Sequence, residues 1–466
     1  MSTVALPEEV RPVAPATPHE PMPPREAWAL ACKLPDGVCD VGFRPLIHEI
    51  DAAPMHGCAP TQLLTDGEEA FRIIGEACKA AREEILVETY ILRDDRIGLT
   101  LLQQLADAVK RGVRVHVLAD GIGSLGTGRK YWRDLEAAGI SVRLFHPWWR
   151  APLHAMRRDH RKIFVFDREI AFTGGMNIGI EYGSSIRTKG NNTAWRDTFI
   201  RVEGDVSLEL AAVFAEGWDR AGGPALPGLS YVSWSEGIVQ PPRGFAALRS
   251  PQLRARVKRR LALRQDRKRG RRVQRAEPAV VPLQHDAVMV LDSRPGRGQP
   301  ETIGVLSALW GAARSRLWVT TPYFAPPLGA LDVLEDAVKR GVDVRLLLPG
   351  KSDIAFIRHA AHGTYAKLLR AGVRIFEYQP AILHAKTMVV DGQVGVVGSA
   401  NLDFRSLWLN AECNLLLFNH ETAAALEAAF TKDLGTSVEI TAEMWKQRGW
   451  KHRLLDAVAL RMRWAL

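Results

Sequence analysis

One stretch of this chain is written twice. ADAVKRGVRVHVLADG at 106–121 recurs as EDAVKRGVDVRLLLPG at 335–350, and an internal repeat limits the possible folds more than composition does. The surroundings repeat as well. An apolar run precedes each copy, EILVETYIL at 84–92 and RLWVTTPYF at 316–324. A helical pattern ending in Ala-Gly and another apolar run follow, DLEAAGISVRLFHP at 134–147 and KLLRAGVRIFEYQP at 367–380. Leu101, Leu102, Leu105 and Val109 fall at helical spacing, and Gly112 and Gly341 stand where a helix C-cap calls for a left-handed residue. Strands alternating with helices predict an α/β fold of two tandem domains, each a mixed sheet flanked by helices.

Each copy ends in a polar signature laid against an apolar strand. DHRKIFVFD carries His160, Lys162 and Asp167, and LHAKTMVVD carries His384, Lys386 and Asp391 at the same spacing, H-x-K-x-x-x-x-D. On an extended chain i and i+2 share a face, so each His projects beside its Lys while the Asp caps the far end of the strand. A lone His-x-Lys carries no information. Two in aligned repeats, each followed by a Gly-containing turn and an Asn (Asn177 in TGGMN, Asn401 in GSAN), mark a functional site.

If the halves face each other, two His, two Lys and two Asn converge on a pocket suited to a phosphodiester. The lysines and asparagines hold the non-bridging oxygens. One imidazole attacks phosphorus to give a phosphoryl-histidine, and the other protonates the departing oxygen. This chemistry calls for no metal or cofactor, and none is expected. A nucleophilic imidazole needs an acceptor on its second nitrogen. Glu412 in NAEC and Asp197 in WRDT are expected to fill that role, Glu412 for His384 and Asp197 for His160.

The net charge of +10 is concentrated in one place. Residues 254–275 hold 12 Lys or Arg against Asp266, a net +11, which leaves −1 for the rest of the chain. Such a patch meets something anionic, a membrane leaflet or a nucleic acid. Leu253, Val257 and Leu261 recur every fourth residue after Ser250-Pro251, as in a basic amphipathic helix lying in a lipid interface. The tail, with Trp445, Trp450 and Trp464 among Arg and Lys, and Trp148-Trp149 ahead of the first motif read the same way. No run of about 18 apolar residues is present to span a membrane. The Pro-rich start has no apolar core of a signal peptide. Cys32, Cys39, Cys58, Cys78 and Cys413 lack the spacing of a disulfide framework or a zinc site, which fits a reducing compartment.

The doubled H-x-K-x-x-x-x-D, with G-S-x-N after the second copy, resembles the phospholipase D superfamily over roughly residues 61–220 and 285–435. EILVETYIL, RGVRVHVLADGIGS and ILHAKTMVVDG…GSANLDFRSLWLNAE resemble bacterial cardiolipin synthases, in particular their B branch. The resemblance implies metal-independent transphosphatidylation, in which two phosphatidylglycerols give cardiolipin and glycerol. It carries His160, Lys162, Asp167, His384, Lys386 and Asp391 over as catalytic motif residues, with the aspartates more structural than chemical. Asn177, Asn401 and Ser399 carry over as phosphate-binding positions. Gly175 stands where the second half has Ser399, so the halves are not equivalent. The family pattern favours His160 as nucleophile.

The expected division is a Pro-rich, partly disordered extension at 1–60, a first domain at 61–220, a linker with the basic segment at 221–284, a second domain at 285–435 and a tail at 436–466. The expected partner is an anionic phospholipid membrane supplying phosphatidylglycerol, not nucleic acid, with peripheral attachment to the cytoplasmic face of the bacterial inner membrane. A phospholipase or nuclease on the same scaffold is the competing reading. A non-catalytic membrane scaffold is disfavoured because both motifs are intact.

Overall fold

The computed structural model describes residues 22–57, 60–147, 157–183, 194–229, 286–294, 300–326 and 328–462. The basic segment 254–275, Trp148, Trp149 and Trp464 lie outside the described residues. Two sheets form the framework. In spatial order the seven-stranded sheet runs Gln62–Leu64, Phe199–Glu203, Ile170–Gly174, Ile163–Phe166, Glu84–Thr89, Arg114–Asp120 and Ser141–Phe145. The nine-stranded sheet runs Met55–Gly57, Ala287–Ser293, Glu412–Phe418, Val394–Gly398, Thr387–Val390, Arg316–Thr320, Asp343–Pro349, Arg374–Tyr378 and Ser437–Ile440.

The repeat is visible in the register. Glu84–Thr89 pairs parallel with Arg114–Asp120 and antiparallel with the motif strand Ile163–Phe166. Arg316–Thr320 does the same between Asp343–Pro349 and Thr387–Val390. Both sheets are therefore mixed, and their central strands are buried on both faces, which is why they read as near-continuous apolar runs. Gly112 and Gly341 close their helices at φ 93° and 90°, a region that costs glycine nothing.

One core joins the sheets. Leu86, Val165 and Ile200 of the first meet Val290, Val397 and Leu415 of the second around Leu210, Phe214 and Trp218 of the helix Asp205–Arg220. Each large side chain buried there contributes roughly 1.5–3 kcal/mol, so the halves are held in fixed register. Arg161 adds specificity. Between His160 and Lys162 it points to the opposite face, bonds Asp292 and the Ser293 carbonyl (3.0 Å) across the interface, and lies 3.6 Å from Glu88.

Residues 22–57 and the described part of the tail pack on the second half. Helix Pro24–Ala31 packs on helix Pro300–Ala312, and Met55–Gly57 pairs with Ala287–Ser293 of the second half. In the tail, Ser437–Ile440 is the edge strand beside Arg374–Tyr378, and Trp445 packs against Tyr365 with ring centroids 4.6 Å apart and planes tilted by 36°.

Candidate active site

Both H-x-K stretches run through the interface, and each is stitched to a segment of the opposite half. Asp159 bridges Ala411: the His160 N–H donates to the Ala411 carbonyl (2.9 Å) and the Ala411 N–H to the Arg158 carbonyl (2.8 Å). Leu383 bridges Arg196 in the same way, with the Arg196 N–H donating to the Ile382 carbonyl (2.9 Å) and the His384 N–H to the Arg196 carbonyl (2.7 Å). In each bridge the residue after the partner is an acid, Glu412 after Ala411 and Asp197 after Arg196.

The acids are consequently exchanged between the halves. Glu412 Oε2 lies 2.9 Å from Nδ1 of His160, and Asp197 Oδ2 lies 2.7 Å from Nδ1 of His384. This corrects the sequence-based pairing, in which each acid served the histidine of its own half. The cause is the bridges, which hand each acid to the facing motif.

Ser399 takes a role other than the expected phosphate contact. Its hydroxyl donates to Glu412 Oε2 (2.6 Å) and accepts the Cys413 N–H (3.0 Å), while Asn410 donates to Glu412 Oε1 (3.3 Å). Glu412 is thereby fixed from three sides. At the matching turn a Cβ on Gly175 would stand 2.1 Å from Asp197 Oδ1. Any side chain there would displace the acid that orients His384, which accounts for the Gly/Ser difference between the halves.

The asparagines also diverge. Asn177 accepts the Ile91 N–H (3.1 Å) and donates to the Tyr182 hydroxyl (2.8 Å). It braces a tyrosine whose ring centroid is 5.6 Å from that of His384, instead of facing the pocket as a phosphate ligand. Asn401 is buried, and its Oδ1 has no hydrogen-bond partner among the described residues. It lines a cavity with Lys386 and Thr321.

The motif aspartates stand apart from the histidines, at the far ends of their strands. Asp167 accepts the N–H groups of Arg82, Glu83 and Glu84 at 2.8–2.9 Å, and Asp391 those of Arg314, Ser315 and Arg316 at 2.7–2.9 Å. Both sit at positive φ, 52° and 55°. Each ties the start of a central strand to the end of its motif strand, the strand-end position expected from the sequence.

Aromatic rings complete the pocket, and the sequence reading missed them. Tyr90 meets His160 edge-on at 4.9 Å, with Lys162 Nζ 5.4 Å from its ring centre. Trp195, Tyr182 and Tyr323 lie 5.2, 5.6 and 6.1 Å from His384. Tyr90 and Tyr323 were findable, since each stands near the end of the apolar run that opens its repeat.

Electrostatics set the protonation states. Burial pushes both imidazoles down to about 4, His160 against the pull of Glu412 and His384 with help from Lys386. Burial would raise Glu412, but His160, Lys162 and the Ser399 hydroxyl overrule it and hold the carboxylate below its ordinary range. Neutral His160 therefore donates Nδ1–H to ionised Glu412 and leaves the Nε2 lone pair free. Burial also lowers Lys162 to about 7 and Lys386 to about 8. Each lysine donates to the carbonyl of its own histidine, and Lys386 Nζ lies 2.8 Å from Nδ1 and 3.2 Å from Nε2 of His384, sharing Nδ1 with Asp197.

These shifts predict the pH profile. The imidazoles are neutral above about 4 and the lysines cationic below about 7–8, so kcat/KM falls as pH rises through 7–8 and the amines lose the charge that holds phosphate. Bound phosphodiester favours the charged amines, so the alkaline limb of kcat lies higher. Lys162→Arg, whose guanidinium does not titrate in this range, removes the lower step of that limb. A kcat/KM flat from pH 6 to 9 would contradict the assignment.

Two buried histidines, each against a carboxylate from the opposite half and each with a buried lysine two residues on, can serve covalent and acid–base steps at a phosphodiester. Comparisons with known proteins agree. The chain matches the family described as "Cardiolipin synthase, PLD-like domain" over residues 74–193 and 306–434, which span both motifs. It is 31% identical to cardiolipin synthase 1 of Bacillus anthracis over 92% of this chain and 77% of that one. It is 32% identical to cardiolipin synthase 2 of Bacillus cereus over 85% and 69%. Its fold superposes on the phosphatidylserine synthase of Haemophilus influenzae Rd KW20 with a TM-score of 0.63 at 15% identity, covering 95% of this chain and all of that one. The chain belongs to the cardiolipin synthase family of phospholipase D-like enzymes.

Proposed function

We propose that this enzyme joins two phosphatidylglycerols into cardiolipin and releases glycerol through a phosphatidyl-histidine. The observation that carries the reading is the pair of crossed histidine–carboxylate dyads, which sets each imidazole against an acid from the opposite half. One Nε2 attacks phosphorus; as the N–P bond forms, the P–O bond to the glycerol headgroup breaks and the second histidine gives its proton to the leaving oxygen. That histidine then takes the proton of the acceptor lipid's hydroxyl, which attacks phosphorus and frees the first. A phosphodiester in the pocket favours a protonated imidazole beside it, so substrate brings its own acid into being. Lys162 and Lys386 spread the charge on the phosphoryl oxygens.

The substrate is met at an anionic leaflet, on the cytoplasmic face of the inner membrane. Among the described residues no helix is long and apolar enough to cross a bilayer. Helix Trp450–Arg461 instead presents Trp450, Leu454 and Val458 at four-residue spacing, with Met462 at its C-cap, each 45–70% exposed, among Lys451, Arg453 and Arg461. It lies on helix Ala355–Ala371, where Ala459 meets Ala360 and Ala325. That helix starts two residues after Asp353, which accepts a 2.7 Å bond from Tyr323 of the pocket. An exposed apolar stripe edged with cations, next to the pocket, suits an anionic lipid surface.

The deciding experiment offers the purified enzyme phosphatidylglycerol vesicles and resolves the products. Cardiolipin and free glycerol are expected in about equal amounts, phosphatidic acid as a minor product, and reversal when glycerol is added. Water at about 55 M competes for the intermediate unless the pocket excludes it. Phosphatidic acid as the main product, indifferent to added alcohols, would make the protein a hydrolase.

A further inference from the structure

The two sides of the pocket are not chemically alike, although the repeat relates them position by position. Two residues before His160 stands Arg158; two before His384 stands Ile382. Four residues after Asn401 stands Arg405; four after Asn177 stands Glu181. The matching positions of the repeat therefore hold two arginines, one ahead of His160 and one after Asn401, against an isoleucine and a glutamate.

The arginines are neighbours. Arg158 shares the extended stretch of His160, and its carbonyl accepts the Ala411 N–H. Arg405, in the short helix Phe404–Trp408, accepts the Asn410 N–H at 2.9 Å on its own carbonyl, one residue from that bridge. Both charges act on Tyr90, the ring against His160, and the charge of Arg405 works against the cationic form of Arg158. Burial is the first thing that works against the Arg158 charge, and Asp120 and Tyr90 support it. Arg158 Nη1 is buried without a hydrogen-bond partner among the described residues. Asp120, an acid near Arg158, has its oxygens engaged by the N–H groups of Ile122, Gly123 and Asp159 at 2.8–2.9 Å. A buried guanidinium donor beside a second guanidinium is a site for an anion with several acceptor oxygens.

We infer that Arg158 and Arg405 form a second anion subsite, distinct from the Lys162–Lys386 site, which holds the phosphodiester of the acceptor lipid while the donor's phosphate is on the histidines. The inference rests on the transferase reading above and adds to it a cause of selectivity. Water, glycerol and other neutral alcohols cannot use the subsite, whereas a second phosphatidylglycerol can. Preference for an anionic acceptor is thus built into the His160 side, while Trp195, Tyr182 and Tyr323 on the other side offer aromatic faces.

The test compares two reactions of one enzyme on phosphatidylglycerol vesicles: cardiolipin formation, and exchange of labelled free glycerol into phosphatidylglycerol. Exchange needs the histidines and the donor but no second lipid phosphate. For Arg158→Gln, Arg405→Gln and the double variant, the ratio of cardiolipin formation to exchange is expected to fall, about 10-fold or more in each single, the size of a lost charge-assisted hydrogen bond. Thermal unfolding of the variants reports whether the fold is kept. An unchanged ratio, whether both reactions fall together or neither does, overturns the subsite. Absence of exchange in the unaltered enzyme would instead remove the transferase reading on which it rests.

Discussion

Glu412→Gln is expected to lower turnover by about a thousandfold and to behave as a His160 variant, although Glu412 lies 28 residues beyond His384 in the chain. Replacing an orienting carboxylate by its amide keeps the shape and turns the imidazole to the wrong tautomer, an effect of about 10⁴ where it has been isolated in an acid–histidine pair. The 2.9 Å contact belongs to His160, so the imidazole signals of His160 should shift in nitrogen NMR while those of His384 stay. Asp197→Asn is the mirror case and should disturb His384. Each acid affecting the histidine of its own half would mean that the halves do not dock as described.

Removing either imidazole should be at least as severe. His160→Ala and His384→Ala are each expected to lose about 10⁴-fold or more, with the double variant hardly worse, because nucleophile and acid–base act as a unit. The singles should differ in one respect. Loss of the nucleophile prevents any covalent intermediate, whereas loss of the acid–base partner leaves phosphatidyl-enzyme that cannot be discharged. Labelled lipid should therefore accumulate on one single variant alone, and the carboxylate variant sharing its behaviour should be the crossed one. Label on both, or independent losses that multiply in the double variant, would show two sites in place of one.

Much of this arrangement was legible in the residues. The repeat gave two α/β domains, and the histidines and lysines of both motifs do meet at their interface. The pairing of acids was not legible. Glu412 and His160 are 252 residues apart, and no local periodicity says which half a strand end will face. The fate of Ser399 was hidden for the same reason, since a hydroxyl after a Gly turn suits a phosphate as well as a carboxylate, and only the proximity of Glu412 decides between them. Asn177 was obscured by Tyr182, whose burial the surrounding sequence does not announce. The strand Ser437–Ile440 escaped notice because its central residues, Val438 and Glu439, are exposed at a sheet edge, so no apolar alternation marks it.

The stitching of the interface has a geometric meaning. Asp159–Ala411 mirrors Leu383–Arg196, and Leu92–Ile178 mirrors Phe324–Leu402. An approximate dyad thus passes between the histidines, as in an isologous dimer. The reaction has no such symmetry, for one imidazole must bond to phosphorus and the other must carry a proton. With the backbone nearly symmetric, the division of labour is written in what surrounds the rings: an aspartate against a glycine on one side, a glutamate against a serine on the other.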